Sequence, residues 1–200
     1  MDPNASPWLL AAVPLTGFIA GFVNTLAGSG SLVTLPMLIL LGLPANVANG
    51  TNRVGVLIQN VVAVGTFRRG GALPTNGAWA LVVPSVLGSI AGAALAVDLD
   101  ETLLRRTIGV LMLVMLAIML LKPERWLQEH RPVQGRRLWA QVPVFFAIGV
   151  YGGFIQAGVG IFLIAGLVLG AGFELVRANA VKNLIVLVFT AAALVVFVFN

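Results

Sequence analysis

The chain has 200 residues, of which 59% are hydrophobic and 10% are charged, and its mean hydropathy is +1.01. Soluble domains carry about 25% charged residues, so the composition excludes an ordinary soluble domain and predicts an integral membrane protein. The net charge is +5, but the basic residues cluster in loops beside apolar runs. This placement is typical of membrane topology signals and makes nucleic-acid binding the weaker interpretation. The absence of cysteine excludes disulfides and thiolate metal sites, and the single His130 lies in a polar loop.

Eight apolar runs follow one another along the chain. They cover residues 8–27, 31–43, 45–67, 78–97, 103–121, 138–157, 159–173 and 178–199. A membrane-crossing helix needs about 20 apolar residues, so we expect five or six of these runs to cross. The residues before the first run lack the basic region of a signal peptide, and we expect that run to be retained. The short runs 31–43 and 159–173 are predicted to be half-helices or re-entrant segments.

The first short run follows a glycine-rich break, Gly28-Ser29-Gly30-Ser31. A half-helix that begins near Ser31 would present unpaired backbone N–H groups and the positive end of its dipole, which together bind anions. Either serine is also a suitable N-cap, and for each hydroxyl alone this is the simpler interpretation. Asn24 flanks the break and offers an amide donor. The four residues alone are also typical of a flexible linker. Their position between two apolar runs is what favours the interpretation as a helix break.

The third run contains a cation inside an apolar segment. Asn49, Asn52 and Arg53 are spaced i, i+3 and i+4 and therefore share one helix face, which Asn60 extends. A guanidinium at this depth should face the bundle interior with a partner, yet no acidic residue lies centrally in an apolar run. Two interpretations stay open. Either a substrate supplies the negative charge, or Arg53 caps carbonyls at a broken helix or reaches a nearby surface.

A weaker copy of the break occurs 130 residues later, where Gly158 and Gly160 correspond to Gly28 and Gly30. The same offset places Gly42 on Gly172 and Asn49 on Asn179, so the register holds over more than one motif. The second break has no hydroxyl, which would make the two half-sites chemically unequal. Gln156 flanks it as an amide donor.

A second cation follows this second break. Lys182 lies between Asn179 and Asn183 in the last apolar run and repeats the situation of Arg53. Glu174, eight residues before Lys182, is the acidic residue whose side chain could reach it. Capping of carbonyls is the alternative here also.

These patterns predict an all-α, polytopic membrane bundle built from two repeats, each with a broken or re-entrant helix. The first repeat would cover residues 1–121, a cytoplasmic linker 122–137, and an incomplete second repeat 138–200. The linker and Arg68-Arg69 are basic, whereas the turn between runs 78–97 and 103–121 is acidic, which places the basic loops in the cytoplasm. The repeats are then inverted, although one miscounted half-helix would make them parallel.

Small residues recur at four-residue spacing, for example Gly88 with Gly92 and Gly149 with Gly153. In apolar helices this spacing lets backbones approach closely. We expect it to serve packing within the chain, and a homo-oligomer remains an open alternative.

The motifs together resemble the TauE/SafE family of sulfite exporters. The first half of the resemblance lies in GFVNTLAGSGSLVTLP, GLPANVANGTNR and RRG, and the second in GGFIQAGVG and ANAVKN. It runs from about Leu15 to Asn200. The resemblance implies a transporter of sulfur-containing anions, such as sulfite, sulfoacetate or other organosulfonates, in a bacterial inner membrane. On matching positions it implies a site at 28–31, 49–53, 158–160 and 179–183.

We therefore predict a secondary transporter that works by alternating access, with a small anion and the lipid bilayer as its partners. No catalytic residue, metal or cofactor is expected, because no cysteine, deep acid or intramembrane histidine is available. A passive anion pore and a membrane assembly or interaction protein are the alternatives. The absence of a deep carboxylate favours proton movement on the substrate over a dedicated relay. The expected substrate-binding residues are Asn24, Gly28, Ser29, Gly30, Ser31, Asn49, Thr51, Asn52, Arg53, Gln156, Gly158, Gly160, Asn179, Lys182 and Asn183.

Overall fold

A computed structural model describes residues 15, 17–25, 28–74, 77–120 and 138–199, and these ranges contain helices and turns but no strand. Every apolar run of the sequence contains a helix, which confirms the all-α class. The helices are α1 (17–25), α2 (Ser31–Leu40), α3 (Ala45–Arg69), α4 (Trp79–Val97), α5 (Glu101–Leu120), α6 (Val142–Phe154), α7 (Val159–Ala165) and α8 (Leu175–Phe199). A 3₁₀ turn at Leu138–Gln141 leads into α6, and a π-helical turn at Gly166–Gly170 follows α7. The linker expected at 122–137 lies outside the described residues.

Two of the described helices are both long and apolar enough to cross a membrane. They are α4, with 19 residues and a mean hydropathy of 2.1, and α8, with 25 residues and a mean hydropathy of 2.4. The helices α3 and α5 have 25 and 20 residues, but α3 carries Arg53 and several amides, and α5 begins with charged residues. Large apolar side chains point outward on most helices, among them Leu113 and Val195, as a surface facing lipid requires.

The closest helix pair is α4 with α6. Gly88 and Gly92 on α4 face the backbone of α6, and Gly149 and Gly153 on α6 face the backbone of α4. A Cβ atom on any of the four would overlap a carbonyl oxygen of the other helix. The expected close packing within the chain is confirmed for these glycines.

Two apolar clusters surround the centre of the bundle. One includes Leu81, Phe145 and Phe189 and joins α3, α4, α6, α7 and α8. The other includes Leu35 and Leu104 and joins α2, α3, α4 and α5. Residues 28–30 and 155–160, at the described part of the two helix breaks, are buried, as irregular backbone at membrane depth requires.

The two breaks meet backbone to backbone. The Gly160 N–H donates a hydrogen bond to the Gly28 carbonyl oxygen at 3.2 Å, and a Cβ atom on either glycine would overlap the Cα atom of the other. Gly28 and Gly158, which are 130 positions apart, share the left-handed conformation, with φ of 72° and 74°. Only glycine adopts this conformation without strain. Sequence reasoning therefore located both places where the helices are interrupted.

Candidate functional site

The carbonyl end of α6 is completed by two side chains from α3. The last four carbonyls of a helix lack partners within it. Arg53 donates from Nη1 to the Gly152 oxygen at 3.2 Å and from Nη2 to the Gly153 oxygen. Asn49 donates from Nδ2 to the Phe154 oxygen at 2.8 Å and accepts from Arg53 through its Oδ1. Both side chains are fully buried. Arg53 thus follows the capping interpretation of the sequence in this conformation.

Lys182 on α8 caps the carbonyl end of α1. Its Nζ donates to the Thr25 oxygen at 2.9 Å and to the Asn24 oxygen at 3.3 Å, and the residue is 1% exposed. Glu174 is exposed at the start of α8, and the hydrogen bonds of Lys182 go to these two carbonyls instead. Each helix that precedes a break, α1 or α6, is therefore capped by a cation from the long helix, α8 or α3, that comes second after the other break. We call this arrangement the exchanged caps.

Positive charge is in excess around the breaks. Among the residues that the structure describes, neither Arg53 nor Lys182 has a carboxylate partner, and the ion pair found there joins Arg105 with Glu101 on α5. Each capped helix end contributes about half a negative charge, which neutralises the two cations only in part. The Phe197 ring lies 4.6 Å from the guanidinium carbon of Arg53 and adds a cation–π contact.

A small polar cavity, here called the inner cavity, lies where the breaks meet. It has a volume of about 10 Å³, and a buried water molecule needs about 10–15 Å³. The inner cavity therefore has room for about one water molecule and is closed to an oxyanion. It is lined by Asn24, Gly28, Val56, Asn60, Gln156, Val159, Gly160, Lys182, Asn183 and Val186.

A larger cavity, here called the outer cavity, lies between α1, α2 and α3. It has a volume of about 380 Å³ and shares Asn24 and Val56 with the inner cavity. None of the described residues that line it is charged. Its polar lining residues are Asn24, Ser31, Thr34, Thr51, Asn52 and Gln59.

Hydrogen bonds among neutral groups hold the wall of the outer cavity. Asn52 donates from Nδ2 to the Ser31 Oγ at 3.0 Å, and Asn24 donates from Nδ2 to the Gln59 Oε1 at 3.0 Å. The expectation that Ser29 or Ser31 caps α2 is wrong: the N-cap residue is Gly30, and no side chain caps this end. Ser31 is instead the acceptor for Asn52, and the buried Ser29 Oγ has no partner.

The structure brings most of the predicted residues to the two cavities but not all of them. Asn24, Gly28, Gln156, Gly160, Lys182 and Asn183 line the inner cavity, and Asn24, Gly30, Ser31, Thr51 and Asn52 line the outer one. The others lie beside these cavities. Asn49 and Arg53 cap α6, Gly158 packs against Met115, and Asn179 accepts hydrogen bonds from Asn183.

Sequence reasoning left Thr34, Gln59 and Asn60 out of the predicted set. Gln59 lies seven residues after Asn52, and Asn60 lies seven after Arg53, so both continue faces that were already marked as polar. The position of Gln59 and Asn60, two amides inside an apolar run, is the signal that could have identified them. Within the described ranges, no group of three or more His, Cys, Asp or Glu residues is placed to hold a metal ion.

Comparisons with known proteins identify the family. A family model described as "Sulfite exporter TauE/SafE" matches residues 13–200. A "Probable membrane transporter protein" of Haemophilus influenzae is 28% identical over 172 residues, which are 86% of this chain and 67% of the relative. The "Probable membrane transporter protein YfcA" of Escherichia coli is 28% identical over 184 residues, covering 90% of this chain and 66% of the relative.

The chain thus spans about two thirds of the length of these relatives. No solved structure matches it. The resemblance seen in the sequence motifs is confirmed over nearly the whole chain, and the chain belongs to the TauE/SafE family of sulfite exporters.

Proposed function

We propose that the protein is a secondary transporter that moves small sulfur-containing anions, such as sulfite, sulfoacetate or other organosulfonates, by alternating access. Lys182 is the observation that carries the proposal. It is a buried ammonium at the meeting point of two broken helices, it lines a polar cavity, and no described carboxylate pairs with it. A cation held in a membrane protein without a counter-ion is a hypothesis for an ion site.

The chemistry around Lys182 suits an anion. An ammonium group has three N–H donors, and two of them are directed to the carbonyls of α1. The third is available to a ligand in the inner cavity. Asn183 also lines that cavity, and Arg53 adds positive charge from the neighbouring end of α6. We assign direct contact with the anion to Lys182 and a capping role to Arg53.

The volumes of the cavities favour a carrier over a pore. The inner cavity, at about 10 Å³, has no room for an oxyanion of four or more heavy atoms, since one water already needs about 10–15 Å³. The outer cavity, at about 380 Å³, is large enough for such a ligand. A substrate can therefore reach Lys182 only if the two breaks separate, which is a conformational step that alternating access supplies.

The domain organisation is part of the same proposal. Two repeats, 1–121 and 138–200, joined by a cytoplasmic linker and inverted in the inner membrane, would account for the exchanged caps. They would also account for the left-handed glycines 130 positions apart, which include Gly42 and Gly172 with φ of 88° and 76°. A pseudo-two-fold axis between the breaks relates such pairs in inverted-repeat transporters.

The test is uptake of radiolabelled sulfite, sulfoacetate and 2-hydroxyethanesulfonate into proteoliposomes, with protein-free liposomes as the blank. Lys182→Met keeps the length of the side chain and removes its charge, and we expect it to abolish saturable uptake. Arg177→Met is the matched control, because Arg177 is an exposed cation on the same helix. Uptake by Lys182→Met at the rate of the control would refute the proposed site.

Counterflow separates a carrier from a pore. Unlabelled substrate inside the vesicles should accelerate entry of labelled substrate through a carrier, because the loaded site returns faster than the empty one. Uptake that rises linearly with concentration and shows no counterflow would instead establish the pore.

A further inference from the structure

Two buried acceptor atoms of the inner cavity have no hydrogen-bond partner. They are the Asn60 Oδ1 and the Gln156 Oε1, and their residues are 1% and 2% exposed. Buried acceptors are nearly always paired with protein or water, because an unpaired one loses its hydration without compensation. Both residues line the same cavity as Lys182. Unpaired acceptors in this small cavity call for a group that donates, either a water molecule or part of a ligand.

A hydrogen bond to a carbonyl fixes the orientation of the Asn60 amide, and a hydrogen bond to a hydroxyl positions the Gln156 amide. Asn60 donates from Nδ2 to the Val56 carbonyl oxygen at 2.7 Å, and a carbonyl can only accept, so Oδ1 must be the free end. Gln156 donates from Nε2 to the Thr190 Oγ1 at 2.6 Å. Its backbone is left-handed, with φ of 63°, which is uncommon for a residue with a side chain. The chain thus holds Gln156 in an unusual conformation at the wall of the cavity.

The inner cavity therefore offers one charged donor and two neutral acceptors. A sulfonate or a fully deprotonated oxyanion has only acceptor oxygens, so it matches Lys182 but faces the lone pairs of Asn60 and Gln156. An anion that also carries an O–H or N–H group can match all three. We propose that the inner cavity selects anions that bring their own hydrogen-bond donor: protonated oxyanions, and organosulfonates with a hydroxyl group. This inference rests on the proposed function and specifies its substrate.

The test compares two ligands of equal charge that differ by one hydroxyl group. Ethanesulfonate and 2-hydroxyethanesulfonate are both monoanionic sulfonates, and only the second carries a donor. We expect kcat/KM for uptake of the hydroxylated ligand to be at least about 10-fold higher, since a site built to pair with a hydroxyl rejects the analogue that lacks it. Equal values for the two ligands would overturn the inference while leaving transport intact, and a resident water would then serve the acceptors.

The Asn60→Leu variant tests the same inference by changing the protein instead of the ligand. This change keeps the size of the residue and removes the acceptor, so the preference for the hydroxylated ligand should fall by about 10-fold. Asn46→Leu is the matched control, because Asn46 is an exposed asparagine on the same helix. A preference unchanged in Asn60→Leu would contradict the inference. If that variant does not fold, the two ligands on the unmodified protein still decide the question. Failure of every anion to enter would refute the proposed function itself.

Discussion

Arg53 and Lys182 supply hydrogen-bond donors to the carbonyl ends of two interrupted helices, where the next helical turn would otherwise have supplied them. The planar guanidinium presents parallel donors and so reaches two successive carbonyls, Gly152 and Gly153. The compact ammonium of Lys182 reaches Thr25 more closely than Asn24. The residue types differ, yet each donates to a pair of carbonyls at the end of a helix, of which Asn24 also accepts from the Gly28 N–H.

Arg53→Met should lower the stability of the folded protein by roughly 1–3 kcal/mol, because two buried carbonyls lose their donors. Thermal unfolding in detergent measures this change. Arg105→Met is the control: Arg105 makes an exposed pair with Glu101 at 3.3 Å, and its loss should cost less than about 1 kcal/mol. Equal melting temperatures for the two variants would contradict the capping role of Arg53.

The sequence marked both cations as buried but did not identify their acceptors. Helical periodicity fixes which face a side chain occupies, and it placed Asn49, Asn52 and Arg53 together. The carbonyls that Arg53 contacts lie 99 and 100 positions away, and no local pattern encodes such a pairing. The cap predicted at Ser31 failed for a related reason, since Asn52, 21 positions away, donates to the Ser31 hydroxyl.

At the scale of elements, the contact between α4 and α6 depends on glycine. Gly92→Ala would place a Cβ atom against the Val150 carbonyl oxygen, and the two helices would have to move apart, at a cost of about 1–3 kcal/mol. Gly109→Ala on α5 is the matched control, because a Cβ atom there meets nothing within 4 Å. The measurement is thermal unfolding in detergent. A Gly92 variant as stable as the Gly109 variant would show that the close approach is not needed.

The apolar runs predicted the order of the helices, because hydrophobic length and glycine breaks are visible in the sequence. They did not predict how the run 159–173 folds. The structure divides it into α7 and the π-helical turn Gly166–Gly170, where the Ala171 N–H donates to the Gly166 oxygen. Composition is uniformly apolar across this boundary, so hydropathy cannot separate an α-helical turn from a π-helical one.

At the scale of the whole molecule, the described residues leave about 10 Å³ of space where the two breaks meet, and a sequence without cysteine allows single engineered thiols to test whether this centre opens. Ser29 is 2% exposed, so Ser29→Cys should react with a maleimide only when the breaks separate. An open state populated at 0.1–10% slows the reaction by about 10- to 1,000-fold. Asp98→Cys, in the exposed turn after α4, is the control. Transported anions should change the rate at Ser29 and leave that at Asp98 unaltered. Equal rates at both positions would contradict a closed centre.

The exchanged caps also bear on how the protein is made. The C-terminal end of α1 receives its cap only after Lys182 has been synthesised. Lys182 lies 158 positions after Asn24 and 157 after Thr25. At ribosomal speeds of about 5–20 residues per second, that delay is roughly 8–30 s. During this interval the Thr25 carbonyl lacks the donor that it has in the folded protein, whereas Asn24 can already accept from the nearby Gly28 N–H. Biosynthesis therefore leaves the end of α1 without its Lys182 cap until α8 has been made.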